Sequence, residues 1–438
     1  MTKNASTGPS VTRRSLLTGT AQALGTAALL SAARAVVPGG VWAATADAPE
    51  TTKAVFGFIA LTDSAPLIIA KEKGLFAKYG LKDADVQKQA SWGTTRDNIE
   101  LGSANGGIDG AHILTPMPYL ISTGKVTKNN QKLPMYILAR LNTNGQCISV
   151  SNRHKAAGVT TDAKSLKGAF ADMKKAGKEV KCAMTFPGGT HDMWLRYWLA
   201  ANGIDPDKDV STIVVPPPQM VANMKVDTME AFCVGEPWNA QLVAQNIGFT
   251  ALTTGELWAN HPEKALGMRA DWVDRNPKAA KAVMMAVLEA QQWCDKPENK
   301  AEMCQILAKR EWFKVPVDDI LTRSQGTIDY GTGRVVKGSP HIMKYWADHA
   351  SYPFKSHDAW FLTENIRWGY QPADLDVKKT VDQVNREDLW REAARTLGVA
   401  ADQMPAGTSR GKETFFDGKV FDPDSPSTYL ASLDIRRV

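Results

Sequence analysis

Short apolar runs alternate along most of the chain with stretches whose apolar residues recur three and four positions apart. The first habit belongs to buried strands and the second to amphipathic helices, so the pattern predicts an α/β protein. Ala54–Ala60 (AVFGFIA) reads as a buried strand. A loop with polar capping residues, Leu61-Thr62-Asp63-Ser64-Ala65-Pro66, follows, then a helix carrying Leu67, Ile68, Ala70 and Lys71 that stops near Gly74. A second strand, Asp85–Lys88, leads through Ser91-Trp92-Gly93-Thr94 into a helix ending at Gly102. The same grammar returns later. Glu179–Phe186 is a strand, Pro187-Gly188-Gly189-Thr190-His191 a tight turn, and Met193–Ala201 a helix whose Trp194, Leu195, Trp198 and Leu199 form a core stripe. A strand at Thr212–Val215 ends in Pro216-Pro217-Pro218-Gln219, and a helical stretch leads on to Ala231–Trp238. Helices are expected at Lys278–Trp293 and Lys300–Arg310, and the tail from Pro372 reads as a wrap over the surface.

Two blocks with one order of elements predict two α/β lobes whose strand-end loops face a shared crevice, where open α/β sheets bind ligands. Residues 47–145 and 248–438 are assigned to the first lobe and 146–247 to the second. A chain of 438 residues is long enough for two such lobes.

Charge changes this picture little once it is located. The net +6 includes Lys3, Arg13, Arg14 and Arg34, and the first 46 residues hold no acid; the remaining 392 carry only +2. A nearly neutral body excludes a nucleic-acid binder on electrostatic grounds. The basic segment itself, Thr12-Arg13-Arg14-Ser15-Leu16-Leu17 with a mildly apolar stretch to Ala33 and an A-x-A site at Ala44-Thr45-Ala46, resembles a twin-arginine export signal. Residues 1–46 are therefore expected to be a cleaved leader. No cysteine precedes Cys147, so no lipid anchor is expected, and the mature protein should be free in the periplasm rather than membrane-inserted. Of the five cysteines, Cys294 and Cys304 flank a helix junction where a bridge or two buried thiols would fit equally well.

Enzyme signatures are missing: there is no GxSxG, HExxH or GxxxxGK[ST], and no histidine pair has metal-ligand spacing. His191 follows two glycines at a strand-to-helix turn, which exposes backbone N–H groups and the positive end of the helix dipole, a natural anion site. The Trp92-Gly93-Thr94 turn is its counterpart in the first block, with an indole N–H able to donate.

Gly57–Leu67 (GFIALTDSAPL), Phe186–Asp192 (FPGGTHD), Gly235-Glu236-Pro237-Trp238, Asn260–Ala265 (NHPEKA) and the closing Phe421-Asp422-Pro423 with Tyr429-Leu430 resemble the periplasmic nitrate- and bicarbonate-binding proteins of ABC importers. The resemblance implies a type II, two-lobed periplasmic-binding-protein clamp, expected as a monomer, that closes on a small oxyanion and delivers it to a membrane permease. It carries ligand-binding roles onto Trp92, Gln146, His191 and Lys264, with Gly93, Thr94 and Thr190 in the two turns and Val234 and Pro217 as lesser contacts. In such relatives a Lys at the selector position goes with nitrate or nitrite, and a Glu with bicarbonate and a bound calcium. The motif here reads Glu263-Lys264, so one step of register separates the two ligands. A buried ammonium offsets the desolvation of a monovalent anion, which favours Lys264, nitrate and no cofactor. Two rivals are a cytoplasmic nitrate-sensing regulator, disfavoured by the leader, and a thiamine-precursor enzyme of related fold, disfavoured by the absence of a cofactor motif.

Overall fold

The structure, a computed structural model, describes residues 48–437. The export signal expected at 1–46 lies outside the described residues. Ten strands build two five-stranded sheets: β1 (Val55–Phe58), β2 (Asp85–Lys88), β3 (Gly110–Leu114), β4 (Met135–Arg140), β5 (Gln146–Ser151), β6 (Lys181–Met184), β7 (Ser211–Val214), β8 (Ala231–Gly235), β9 (Gly248–Thr253) and β10 (Lys264–Arg269). The first sheet runs β2-β1-β3-β10-β4 and the second β7-β6-β8-β5-β9. In each, four of the five strands run in one direction and the fourth in order, β10 or β5, runs antiparallel to both of its neighbours.

The chain exchanges its antiparallel strands between lobes. β5 follows β4 directly but belongs to the second sheet, and β10 brings the chain back to the first. The two crossing segments, 141–145 and 254–263, lie side by side: the Glu263 N–H donates to Asn142 O (3.2 Å) and the Asn144 N–H to His261 O (3.1 Å). A third segment joins them through reciprocal backbone bonds between Thr143 and Lys344.

β1 is buried on both faces, as a central parallel strand must be, and this is why it reads as an unbroken apolar run. Helices cover both sheets, among them Ala65–Glu72, Trp92–Leu101, Thr190–Ala201 and Pro277–Asp295.

Two expected assignments need correction. β9 completes the second sheet through its ladder with β5, so the second lobe does not end at residue 247. The tail is also more than a surface wrap. Phe415, Phe421, Tyr429 and Leu433 enter the core cluster that contains Trp194, Trp198 and Trp360, which is second-lobe core. Tyr429 anchors it by donating to Glu364 Oε1 (2.7 Å) and accepting from Trp360 Nε1 (3.2 Å). All five cysteines are buried and unbridged, including Cys294 and Cys304. Among the described residues no helix is long and apolar enough to cross a membrane.

Candidate functional site

Lys264 opens β10 opposite Leu114, the last residue of β3, and its side chain is fully buried. Its Nζ lies 2.9 Å from Asp63 Oδ2, 2.6 Å from Glu263 Oε2 and 5.9 Å from the centre of the Trp92 ring. Burial works against the ammonium, but the two carboxylates outweigh it and hold the Lys264 pKa above its usual value. Burial likewise works against ionised Asp63, yet Lys264 and His112 hold that carboxyl well below the usual range. For Glu263, burial wins over Lys264 and pushes the carboxyl up.

Hydrogen-bond partners fix the tautomers. Gln146, the first residue of β5, donates Nε2 to Asp63 Oδ2 (3.0 Å), so its Oε1 faces His191 Nε2 at 2.8 Å. An amide oxygen only accepts; His191 Nε2 therefore carries the hydrogen, and Nδ1 accepts from the Thr185 hydroxyl at 2.5 Å. Burial, then the Lys264 charge, push the His191 pKa well below its usual value, so the ring is neutral. His112 is fixed in the same way. Its Nδ1 accepts from the Ile59 N–H (3.5 Å), which leaves Nε2 to donate to Asp63 Oδ1 (2.5 Å).

The outcome is a convergence of donors from both lobes. Lys264 Nζ and His191 Nε2 face each other at 3.4 Å, both carrying hydrogen. Trp92 Nε1 is buried without an acceptor. The ammonium is already paired with Asp63 and Glu263, and the Nε2 hydrogen with Gln146 Oε1, so the unpartnered indole N–H beside a cation is what an oxygen-rich anion complements.

The other expected residues divide. Thr190 donates from Oγ1 to Glu263 Oε2 (2.9 Å), and so helps hold the carboxylate beside Lys264. Gly93 and Thr94 form the first turn of Trp92–Leu101, capped by Ser91, whose Oγ accepts from the Thr94 N–H (3.1 Å) and pairs with the Thr94 hydroxyl (3.1 Å). Val234 is buried in β8 and Pro217 opens a short turn after β7; neither brings a polar group to the cluster.

Sequence reasoning missed four participants. Asp63 holds Lys264, Gln146 and His112 together. Trp194, read as core, also donates Nε1 to Glu263 Oε1 (2.9 Å). Gly235 faces Gln146 in the ladder, and a Cβ there would lie 2.5 Å from Gln146 Oε1. His112 is interior to β3. Glu263 is buried beside Lys264, but its oxygens accept from Thr190, Trp194 and Lys264, whereas Lys264 is the member of the pair beside Trp92 and His191. Among the described residues no group of three or more His, Cys, Asp or Glu side chains is arranged to hold a metal.

The NMT1-like family profile matches residues 47–308. The nitrate/nitrite binding protein NrtA of Synechocystis sp. is 67% identical over 393 residues, 90% of this chain and 87% of that one. The bicarbonate-binding protein CmpA of Synechococcus elongatus is 45% identical over 390 residues, 87% of this chain and 86% of that one. The crystal structure of the periplasmic nitrate-binding protein NrtA from Synechocystis superposes with a TM-score of 0.87, covering 89% of this chain and 100% of that one. The chain belongs to the NMT1-like family, within its group of nitrate- and bicarbonate-binding proteins. Its two sheets are those of the periplasmic-binding-protein fold that the family resemblance implied, and the two α/β lobes are those expected from the order of elements.

Proposed function

We propose that the protein is the exported solute-binding component of an ABC importer, capturing nitrate or nitrite between its lobes and handing it to a membrane permease. The observation that carries this reading is the set of three N–H donors buried together at the ends of both sheets: Lys264 Nζ, Trp92 Nε1, which has no acceptor, and His191 Nε2, whose hydrogen would exchange Gln146 Oε1 for the anion. Its similarity to NrtA, 67% over nine-tenths of the chain, supports the same ligand class. The protein acts by binding alone, as a monomer, with no cofactor and no nucleic-acid partner. Its leader, Arg13-Arg14 and the stretch behind them, directs it to the periplasm by the twin-arginine route.

Bicarbonate with calcium is the second reading, because Glu263 is buried in the same cluster and CmpA is 45% identical. Three donors already occupy the Glu263 carboxylate, which leaves it poorly placed to take a cation. Titration calorimetry with nitrate, nitrite and bicarbonate, each with and without calcium, separates the two. Nitrate or nitrite heat independent of calcium is expected; calcium-dependent bicarbonate binding with no nitrate heat would overturn the proposal.

A further inference from the structure

An anion-binding site is expected to hold positive charge in excess, and this one does not. Asp63 and Lys264 cancel, and Glu263 adds either nothing or a second negative charge. His191, His112 and His261 are neutral: His112 by its bond from Ile59, and His261, near the site, because burial lowers its pKa to about 3. On its own helix, His191 is followed by Asp192, whose carboxylate is taken up by the Gly188 N–H (2.8 Å) and Arg196 Nε (2.8 Å). From every element packed around His191, then, the cluster offers no net positive charge before the ligand arrives. Closing a monovalent anion into it leaves a buried negative charge uncompensated, which desolvation makes unfavourable.

The missing charge has a place to go. His191 is fully buried, 3.4 Å from Lys264 Nζ and 3.9 Å from Glu263 Oε1, and its Nδ1 faces the Thr185 hydroxyl. A hydroxyl donates or accepts by rotating about its C–O bond. Thr185 can therefore accept from a protonated Nδ1 with no heavy atom moving, while Nε2–H keeps its bond to Gln146 Oε1 (2.8 Å) until an anion takes that place. Without an anion, Lys264 and the positive end of the helix beginning at Thr190 both oppose an imidazolium there. With an anion between Lys264 and His191, that opposition is reversed.

Resting on the reading of the site as an anion trap, we infer that the protein captures its anion together with one proton from solvent, and that His191 carries this proton with Thr185 as the acceptor for Nδ1–H. The linkage runs in one direction. Protonation accompanies the bound state, so affinity is strongest at low pH and weakens by up to about tenfold per pH unit as pH rises past the pKa of His191 in the complex.

The test is nitrate calorimetry on the mature protein in Pipes and in Tris, whose ionisation heats differ, at roughly neutral pH. Uptake close to one proton per nitrate is expected, with affinity falling as pH rises. Thr185→Val should abolish the uptake and flatten the pH profile, and Thr185→Ser should restore both. Nitrate bound with no proton uptake, or uptake unchanged in Thr185→Val, overturns this inference and leaves the anion-trap reading intact. Absence of any nitrate heat overturns the anion-trap reading itself. Should Thr185→Val fail to fold, ¹⁵N-histidine NMR of the wild-type protein decides the matter. Both His191 nitrogens are expected to be protonated with nitrate bound, and a neutral ring in the complex overturns the inference.

Discussion

A buried N–H without an acceptor costs a folded protein roughly 1–3 kcal/mol, because the group gives up water and gains nothing in return. Trp92 Nε1 is such a group, and its ring meanwhile packs at 5.3 Å from that of His112. Trp92→Phe keeps most of the ring packing and removes the donor. The ligand-free protein should therefore be no less stable, while nitrate binding weakens by about tenfold or more, the worth of one hydrogen bond to a charged acceptor. Thermal unfolding without nitrate and calorimetry with it check the two halves; an unchanged Kd would remove Trp92 from the site. Trp92, His191 and Gln146 were legible because turn chemistry and the family resemblance single them out. Asp63 was not. A loop aspartate beside a threonine and a serine reads as a cap, and its partners, His112 and Lys264 in the first lobe and Gln146 in the second, are all distant in sequence.

At the scale of elements, the site depends on the ladder between β5 and β8. Gly235 stands opposite Gln146, and an added Cβ would meet Gln146 Oε1 at 2.5 Å, Leu61 Cδ2 at 3.2 Å and Asp63 Oδ2 at 3.3 Å. Gly235→Ala should displace the Gln146 amide from its bonds to Asp63 and His191, costing about 1–3 kcal/mol of overpacking and weakening nitrate binding at least tenfold. Gly168→Ala is the control: it meets open space within the helix Lys164–Lys175, and an alanine there should leave affinity unchanged and raise stability slightly. Equal effects of the two variants on Kd would contradict the role given to Gly235.

Most elements were readable from periodicity. β2 falls on the expected residues, and β1 and β6 fall inside their expected runs. Trp194 shows the limit of that method. Its spacing with Trp198 gives the apolar face correctly, but periodicity says nothing about the one polar atom an indole carries into the core. β9 and the tail escaped for a related reason: neither β9's ladder with β5 nor Tyr429's bond to Glu364 is marked in the local sequence.

Across the whole molecule, the site exists only where the lobes meet. Asp63, His112, Trp92 and Lys264 come from the first sheet and its loops, and Gln146, Thr185 and His191 from the second. Backbone contacts reinforce the meeting. The Thr62 N–H donates to Glu236 O (2.8 Å), and Trp238 Nε1 donates to Ala60 O (3.0 Å). Since Lys264 and His191 are fully buried, an anion can reach them only if these contacts open, and its differential binding then favours closure. The side-by-side crossing segments 141–145 and 254–263 are the natural place for that opening, because they carry the chain between the sheets. The most direct test of the central claim is a crystal structure of the mature protein grown with nitrate. The account predicts one nitrate enclosed between the lobes, within hydrogen-bond distance of Lys264 Nζ, His191 Nε2 and Trp92 Nε1. A nitrate bound elsewhere, with Lys264 still paired only to Asp63 and Glu263, would contradict it.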